Sequence, residues 1–228
     1  MKFSKNKKMA TQKFDSSLYY SIEKAVELIK DMKFSKFDET IDLAINLNVD
    51  PRHADENIRV TTSLPHGTGK TISVLVVCAG SKEKEALDAG ADYAGSKEYI
   101  EKIKGGWTDV DKIVATPDMM GELGKLGRML GPKGLMPNPK SGTVTNDVAD
   151  AVKGLKAGQV ELRVEKAGIV HVICGKTSFK NDDIIDNFRQ IYSTLIKKRP
   201  ASVKGQYIEQ ISISSTMGPG VKIDQSSI

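Results

Sequence analysis

The clearest pattern in the chain is a strict alternation over residues 41–49. Ile41, Leu43, Ile45, Leu47 and Val49 are apolar, while Asp42, Ala44, Asn46 and Asn48 are small or polar. A period of two places these sets on opposite faces of a strand, so one face is predicted to be buried and the other wet. Ahead of it, Ile22, Ala25, Val26 and Ile29 recur at helical spacing behind Ser21, a suitable N-cap, and predict a helix over 21–33. A second strand is predicted over 58–64, after the turn at Asp50-Pro51-Arg52.

The pattern changes in the middle. Residues 72–77 form a largely apolar, β-branched run, as in a strand covered on both faces. Helix-like stretches follow at 82–89 and at 96–103, the latter with Tyr99, Ile100 and Ile103 on its apolar face. A second buried strand, 110–115, leads through Thr116-Pro117-Asp118 into another helix start. Strand and helix in alternation, with apolar strands, predict an α/β unit.

After Ala157-Gly158 the half-buried style returns. Val160, Leu162 and Val164 alternate with Glu161 and Arg163, and Glu165-Lys166-Ala167-Gly168 reads as a hairpin turn into a strand at 169–174. Residues 182–198 predict a strong helix, with acids at its start and Lys197-Lys198-Arg199 before Pro200. A final strand is predicted over 206–214. The outer thirds share a style that the middle lacks. The simplest account is a split α+β domain built from residues 1–68 and 160–228, with a three-layer α/β domain inserted at 69–159. The two crossings, near 67–70 and 157–160, are Gly-rich and are expected to permit hinge rotation.

Charge distribution adds a partner class. The net charge of the 228 residues is only +5. Residues 1–14 carry five Lys and no acid, residues 121–140 carry +3, and residues 195–204 carry +4, which leaves −7 for the remainder. Clustered cations on an acidic body are an electrostatic footprint for nucleic acid, although each cluster alone also fits a solvated face. The basic N-terminus is followed by no apolar stretch of a secretory signal, and the longest apolar run, 72–80, is too short to cross a bilayer, so no membrane partner is expected. Cys78 and Cys174 lie in apolar runs without metal or redox spacing, as buried thiols in a reducing compartment would.

Candidate chemistry is sparse, and neither a cofactor nor a metal is expected. Gly67-Thr68-Gly69-Lys70-Thr71 suggests a phosphate-binding loop and hence a nucleotide-dependent enzyme. The motif requires a glycine where Leu64 stands, and it must follow a strand and open a helix rather than precede a strand. His53, His66 and His171 are scattered; His66 suits a loop contact, and His171 suits a packed or hydrogen-bonded position in a strand. No nucleophile elbow is present, and Asp38-Glu39 reads as a solvated strand edge rather than a catalytic pair. The chain is therefore not expected to be an enzyme.

Three features suit RNA. Residues 121–142 combine glycines, prolines and the cations Lys125, Arg128, Lys133 and Lys140, so backbone and charge can approach a polyanion together. Phe37 stands at the mouth of the alternating strand, where an aromatic either stacks on a base or sugar or caps the core. Residues 214–219, Ser-Ser-Thr-Met-Gly-Pro, offer small hydroxyls, backbone and one soft apolar side chain, a set able to bond sugars and phosphates as well as to form a plain loop.

These residues resemble a known family. GKLGRMLGPKGLMPNPKSGTV at 124–144 is very similar to the signature of the bacterial ribosomal protein L-one family. KFDET at 36–40, SLPHGTGK at 63–70, GADY at 90–93, ATPDMMG at 115–121, AGQVE at 157–161 and STMGPGV at 215–221 extend the similarity across nearly the whole chain. The resemblance implies the split two-domain fold. It implies a constituent of the large ribosomal subunit that binds rRNA at the mobile lateral stalk, assists release of deacylated tRNA from the exit site, and represses its own operon mRNA. The location implied is the cytoplasmic ribosome, with an organelle-encoded ribosome also open.

Carried over by motif, the resemblance assigns rRNA binding to Lys36, Phe37 and Thr40, and to Ser215, Thr216, Met217, Gly218 and Pro219. Lys166 and Gly168 are expected in a neighbouring hairpin, and Lys125, Arg128, Lys133 and Lys140 are expected to face tRNA or RNA. The hairpin departs from the family pattern: Val164-Glu165-Lys166 stands where Asn-Asp-Lys is usual.

Overall fold

The structure is a computed structural model that describes residues 5–53, 55–80 and 82–228. In chain order its elements are α1 (Lys5–Thr11), β1 (Tyr19–Tyr20), α2 (Ile22–Asp31), β2 (Thr40–Leu47), β3 (Arg59–Ser63), β4 (Val74–Val77), α3 (Glu83–Asp88), β5 (Tyr93–Gly95) and α4 (Lys97–Lys104). There follow β6 (Lys112–Ala115), α5 (Met120–Gly124), α6 (Gly127–Leu130), α7 (Val148–Lys156), β7 (Gln159–Arg163), β8 (Ile169–Lys176), α8 (Asn181–Lys197), β9 (Ile208–Ser215) and β10 (Val221–Ile223). The chain divides into two compact units, Met1–Gly69 with Val160–Ile228, and Lys70–Gln159. The basic cluster at 1–14 begins outside the described residues.

The first unit is α+β. Its five-stranded sheet has the order β1-β10-β9-β2-β8, with β2 antiparallel to both β8 and β9. The alternation of β2 buries Ile41, Leu43, Ile45 and Leu47 completely or nearly so, while Asp42, Ala44 and Asn46 lie half-buried on the opposite face. Helices α2 and α8 pack on the buried side: Ile22, Val26 and Ile29 from one, and Ile184, Phe188, Ile191 and Leu195 from the other, join a single core. Ser21 caps α2 by accepting the Lys24 N–H. Strands β3 and β7 form a separate two-stranded sheet, tied across its face by the Arg59–Glu161 ion pair.

The second unit is a three-layer α/β arrangement. Its parallel sheet has the order β5-β4-β6. All four residues of β4 are buried because each face is covered. Leu75 and Val77 pack with Ile100 and Ile103 of α4 and with Leu123 and Leu130 of α5 and α6. Val74 and Val76 pack with Ala86 of α3 and with Val148, Val152 and Leu155 of α7. Among the described residues, no helix is long and apolar enough to cross a membrane.

Asp111 ties the start of β4 to the approach to β6. Its carboxylate accepts from the Ser73 N–H and hydroxyl, each at 3.0 Å, and from Lys70. The Lys70 bond leads these causes, and together they hold the carboxyl at about 2. A depressed acid stabilises the fold above its unfolded value of 3.8, and that contribution is lost as pH falls toward about 2. Part of it is screened because the pair faces solvent, which leaves roughly 1 kcal/mol. Trp107 is the chain's single tryptophan and lies in the same unit. Asp111→Asn is expected to flatten the acid-induced loss of stability between pH 4 and 2 when unfolding is followed by its fluorescence.

Candidate nucleic-acid interface

The strands β2 and β9 bring the two ends of the sequence together. Ile41 pairs with Ser215 and Leu43 with Ile213, so the KFDET turn and the STMGPG loop leave the sheet side by side. Thr40 fixes them: its N–H donates to Thr216 Oγ1 at 3.0 Å, and its carbonyl accepts the Thr216 N–H at 3.0 Å. Its hydroxyl accepts from Lys176 Nζ at 2.8 Å. Phe37 and Met217 project from this latched backbone with 52% and 53% of their surface exposed. Lys36 and Thr216 are exposed beside them, Gly218 and Pro219 are half-buried, and Ser215 is buried.

Glu39 corrects the expected solvated strand edge, whereas Asp38 is exposed there as expected. Asp38 accepts from the Thr177 hydroxyl at 2.8 Å and from the Ser178 N–H and hydroxyl at 3.0 and 2.8 Å, which holds the turn against the end of β8. Glu39 is 0% exposed. It accepts from the Ser35 hydroxyl and from the Met217 N–H at 3.1 Å, and the nearby Ser215 hydroxyl favours its charged form. Burial pushes this carboxyl up, but these bonds and one from the Ser35 N–H outweigh it and hold the group below its ordinary value. Stepping the alternation of β2 back by two from Ile41 reaches residue 39, so the core-facing register itself signals the burial. Ser215 extends the register of Ile211 and Ile213 in the same way.

The Lys166–Gly168 hairpin is not a neighbour of this loop. Thr40 pairs with Lys176, whereas Asn46 at the other end of β2 pairs with Ile169. The two ends lie about 20 Å apart at ~3.4 Å per residue. Lys166 is exposed there. Gly168 is buried with φ +78°, and a Cβ on it would meet the Leu47 and Val49 carbonyls at 3.1 and 3.3 Å, so its demand is structural. Val164 is 4% exposed and bridges to Val170, so an apolar residue at this position belongs to the core. His171, expected to be packed or hydrogen-bonded, is exposed on the open face, 4.0 Å from Glu165.

In the second unit the Gly-Pro segment is more ordered than its composition suggests. Leu123, Leu126 and Leu130 anchor two short helical turns to the core, while Lys125, Arg128, Lys133 and Lys140 lie around them at the surface, all four exposed. Lys133 Nζ donates to the Thr108 hydroxyl.

The phosphate-loop reading of residues 67–71 lacks the setting it requires. Residues 67–71 run into β4 rather than opening a helix, and Lys70 is held by Asp111. Both cysteines are buried; burial raises the Cys78 thiol and pushes Cys174 up to about 12, far from a reactive thiolate. Among the described residues, no group of three or more His, Cys, Asp or Glu could hold a metal ion.

A split α+β unit that presents an aromatic and a thioether on a latched double loop, beside an inserted α/β unit in the sequence, defines a narrow class of protein. The profile of the ribosomal protein L1p/L10e family matches residues 26–219. The chain is 53% identical over 227 residues to the large ribosomal subunit protein uL1 of Phocaeicola vulgatus, covering 100% of this chain and 98% of the relative. It is 55% identical over 219 residues to the protein of the same name from Chlorobaculum tepidum, covering 96% and 95%. The chain belongs to the ribosomal protein L1p/L10e family.

Proposed function

We propose that this protein is a structural constituent of the large ribosomal subunit and binds large-subunit rRNA through its first unit. The supporting observation is the meeting of residues 36–40 with residues 215–219 at one end of the β2–β9 pair. Phe37 packs against ribose or base there, and Thr216 to Pro219 address sugar and backbone. Lys36 adds charge at this end of the sheet, and Lys166 with the Gly168 turn forms a second contact at the other. The protein belongs to the mobile lateral stalk and assists release of deacylated tRNA from the exit site. Lys125, Arg128, Lys133 and Lys140 face tRNA or RNA. The same first-unit surface represses translation of the protein's own operon mRNA by binding a site that imitates the ribosomal one. Its location is the ribosome, in the cytoplasm or in an organelle that encodes it.

The test is binding of the full chain to a stalk-region rRNA fragment and to an unrelated hairpin of equal length, across a salt series. Selectivity that persists as salt rises is the expected outcome, because shape and sugar contacts survive screening. Equal binding to both RNAs with a steep salt slope would leave only the lysine clusters at work and sink the proposal.

A further inference from the structure

We infer that Glu39 is a positioning residue for RNA recognition: its buried carboxylate holds the 215–218 loop in the shape that the RNA meets. The inference rests on the proposed rRNA surface. A fully buried carboxylate is expensive unless its oxygens are satisfied, and among the described residues no lysine or arginine forms an ion pair with this one. Its compensation comes from donors on both sides of the interface. The Ser35 hydroxyl precedes the KFDET turn, and the Met217 N–H belongs to the loop, 178 residues after Glu39.

The donors make carboxylate the fitting group here. An ionised carboxylate accepts at both oxygens, so it takes the Ser35 and Met217 bonds at once and its charge strengthens each. Glutamine of the same shape removes that charge and keeps one acceptor oxygen, so neither bond stays charge-assisted. Met217 is the exposed side chain whose own N–H is held by this carboxylate. Phe37 stands two residues before it on the other branch. Gly218 completes the device: a Cβ there would lie 2.5 Å from Ser215 Oγ, the hydroxyl that Glu39 engages. Charge, two hydroxyls and a missing side chain therefore set one loop conformation in advance of binding, which spares the RNA the work of ordering it.

The test uses the full chain carrying Glu39→Gln and, separately, Gly218→Ala, which disturbs Ser215 while leaving the carboxylate in place. Amide hydrogen exchange is read at Met217 and at interior positions of β2 and β9, and affinity is read with a stalk-region rRNA fragment. In Glu39→Gln the Met217 amide is expected to exchange at least tenfold faster, with Leu43 and Ile213 unchanged, and RNA affinity is expected to fall at least tenfold, chiefly through faster dissociation. Gly218→Ala is expected to act in the same direction and serves if Glu39→Gln does not fold. Unchanged protection at Met217 in a folded Glu39→Gln chain would overturn the inference, as would protection lost evenly across the sheet, which marks a merely structural role. Local loss of protection with undiminished RNA affinity would instead overturn the assignment of this loop to RNA.

Discussion

Replacing Phe37 and Met217 together by alanine is expected to weaken rRNA binding by roughly tenfold to a thousandfold while leaving the stability of the first unit nearly unchanged. Both side chains are more than half exposed, so their removal opens no cavity, and surface changes of this kind move stability by about 0.5 kcal/mol or less. The backbone beneath them is fixed by groups the substitutions leave alone: Thr40 to Thr216, Asp38 to Ser178, and Glu39 to the Met217 N–H. Each lost stacking contact is worth roughly 1–3 kcal/mol, and every 1.4 kcal/mol is about tenfold in affinity. The two residues occupy one site and can couple, so the double loss falls between the larger single loss and the sum. Filter binding with denaturant titration separates affinity from fold. A doubly substituted chain that binds as tightly as the parent would remove this surface from RNA recognition.

The sequence carried the sheet grammar well because each grammar has a physical cause. The two-residue period of β2 exists because one face meets α2 and α8 and the other does not. The apolar run of β4 exists because both faces are covered. Shorter or glycine-broken elements show no such pattern. Strand β5 has three residues, too few to show a period. Helices α5 and α6 lie where glycine recurs every three or four residues, yet Leu123, Leu126 and Leu130 keep helical spacing beneath it. Helix α7 carries Val148, Val152 and Leu155 at helical intervals and was legible in principle, but Gly154 and the preceding Gly-Pro tract obscured it.

The site was legible in its exposed half. Phe37 and Met217 stand out because apolar groups in polar, bent segments are conspicuous. Glu39 does not, because an acid beside another acid ahead of an amphipathic strand suggests water. Its partners lie at Ser215 and Met217, and no local pattern reports a bond between positions so far apart. Lys176, Thr177 and Ser178 were missed for the same reason: they become site residues only once β8 pairs with β2.

The second large effect concerns stability. Asn187→Leu is expected to destabilise the first unit by about 3–5 kcal/mol, within the range for breaking several buried hydrogen bonds at once. Asn187 is 0% exposed on α8, a position where leucine would fit the helix pattern. Its side chain does what no apolar residue can. Oδ1 accepts the His66 N–H at 3.1 Å, and Nδ2 donates to the Gly67 carbonyl at 3.0 Å and to the Cys174 carbonyl at 2.8 Å. One donor pair and one acceptor are matched to one N–H and two carbonyls, so aspartate, which has no N–H, also fails two of the three. Leucine would leave three backbone groups without these partners, and the 66–67 segment would come away from the end of β8. Far-UV circular dichroism during denaturant unfolding is expected to show the loss. The fluorescence of Trp107, which packs on a core of the other unit, is expected to keep its transition in place. An Asn187→Leu chain as stable as the parent would mean that water replaces all three bonds at no cost, which a residue this deeply buried should not allow.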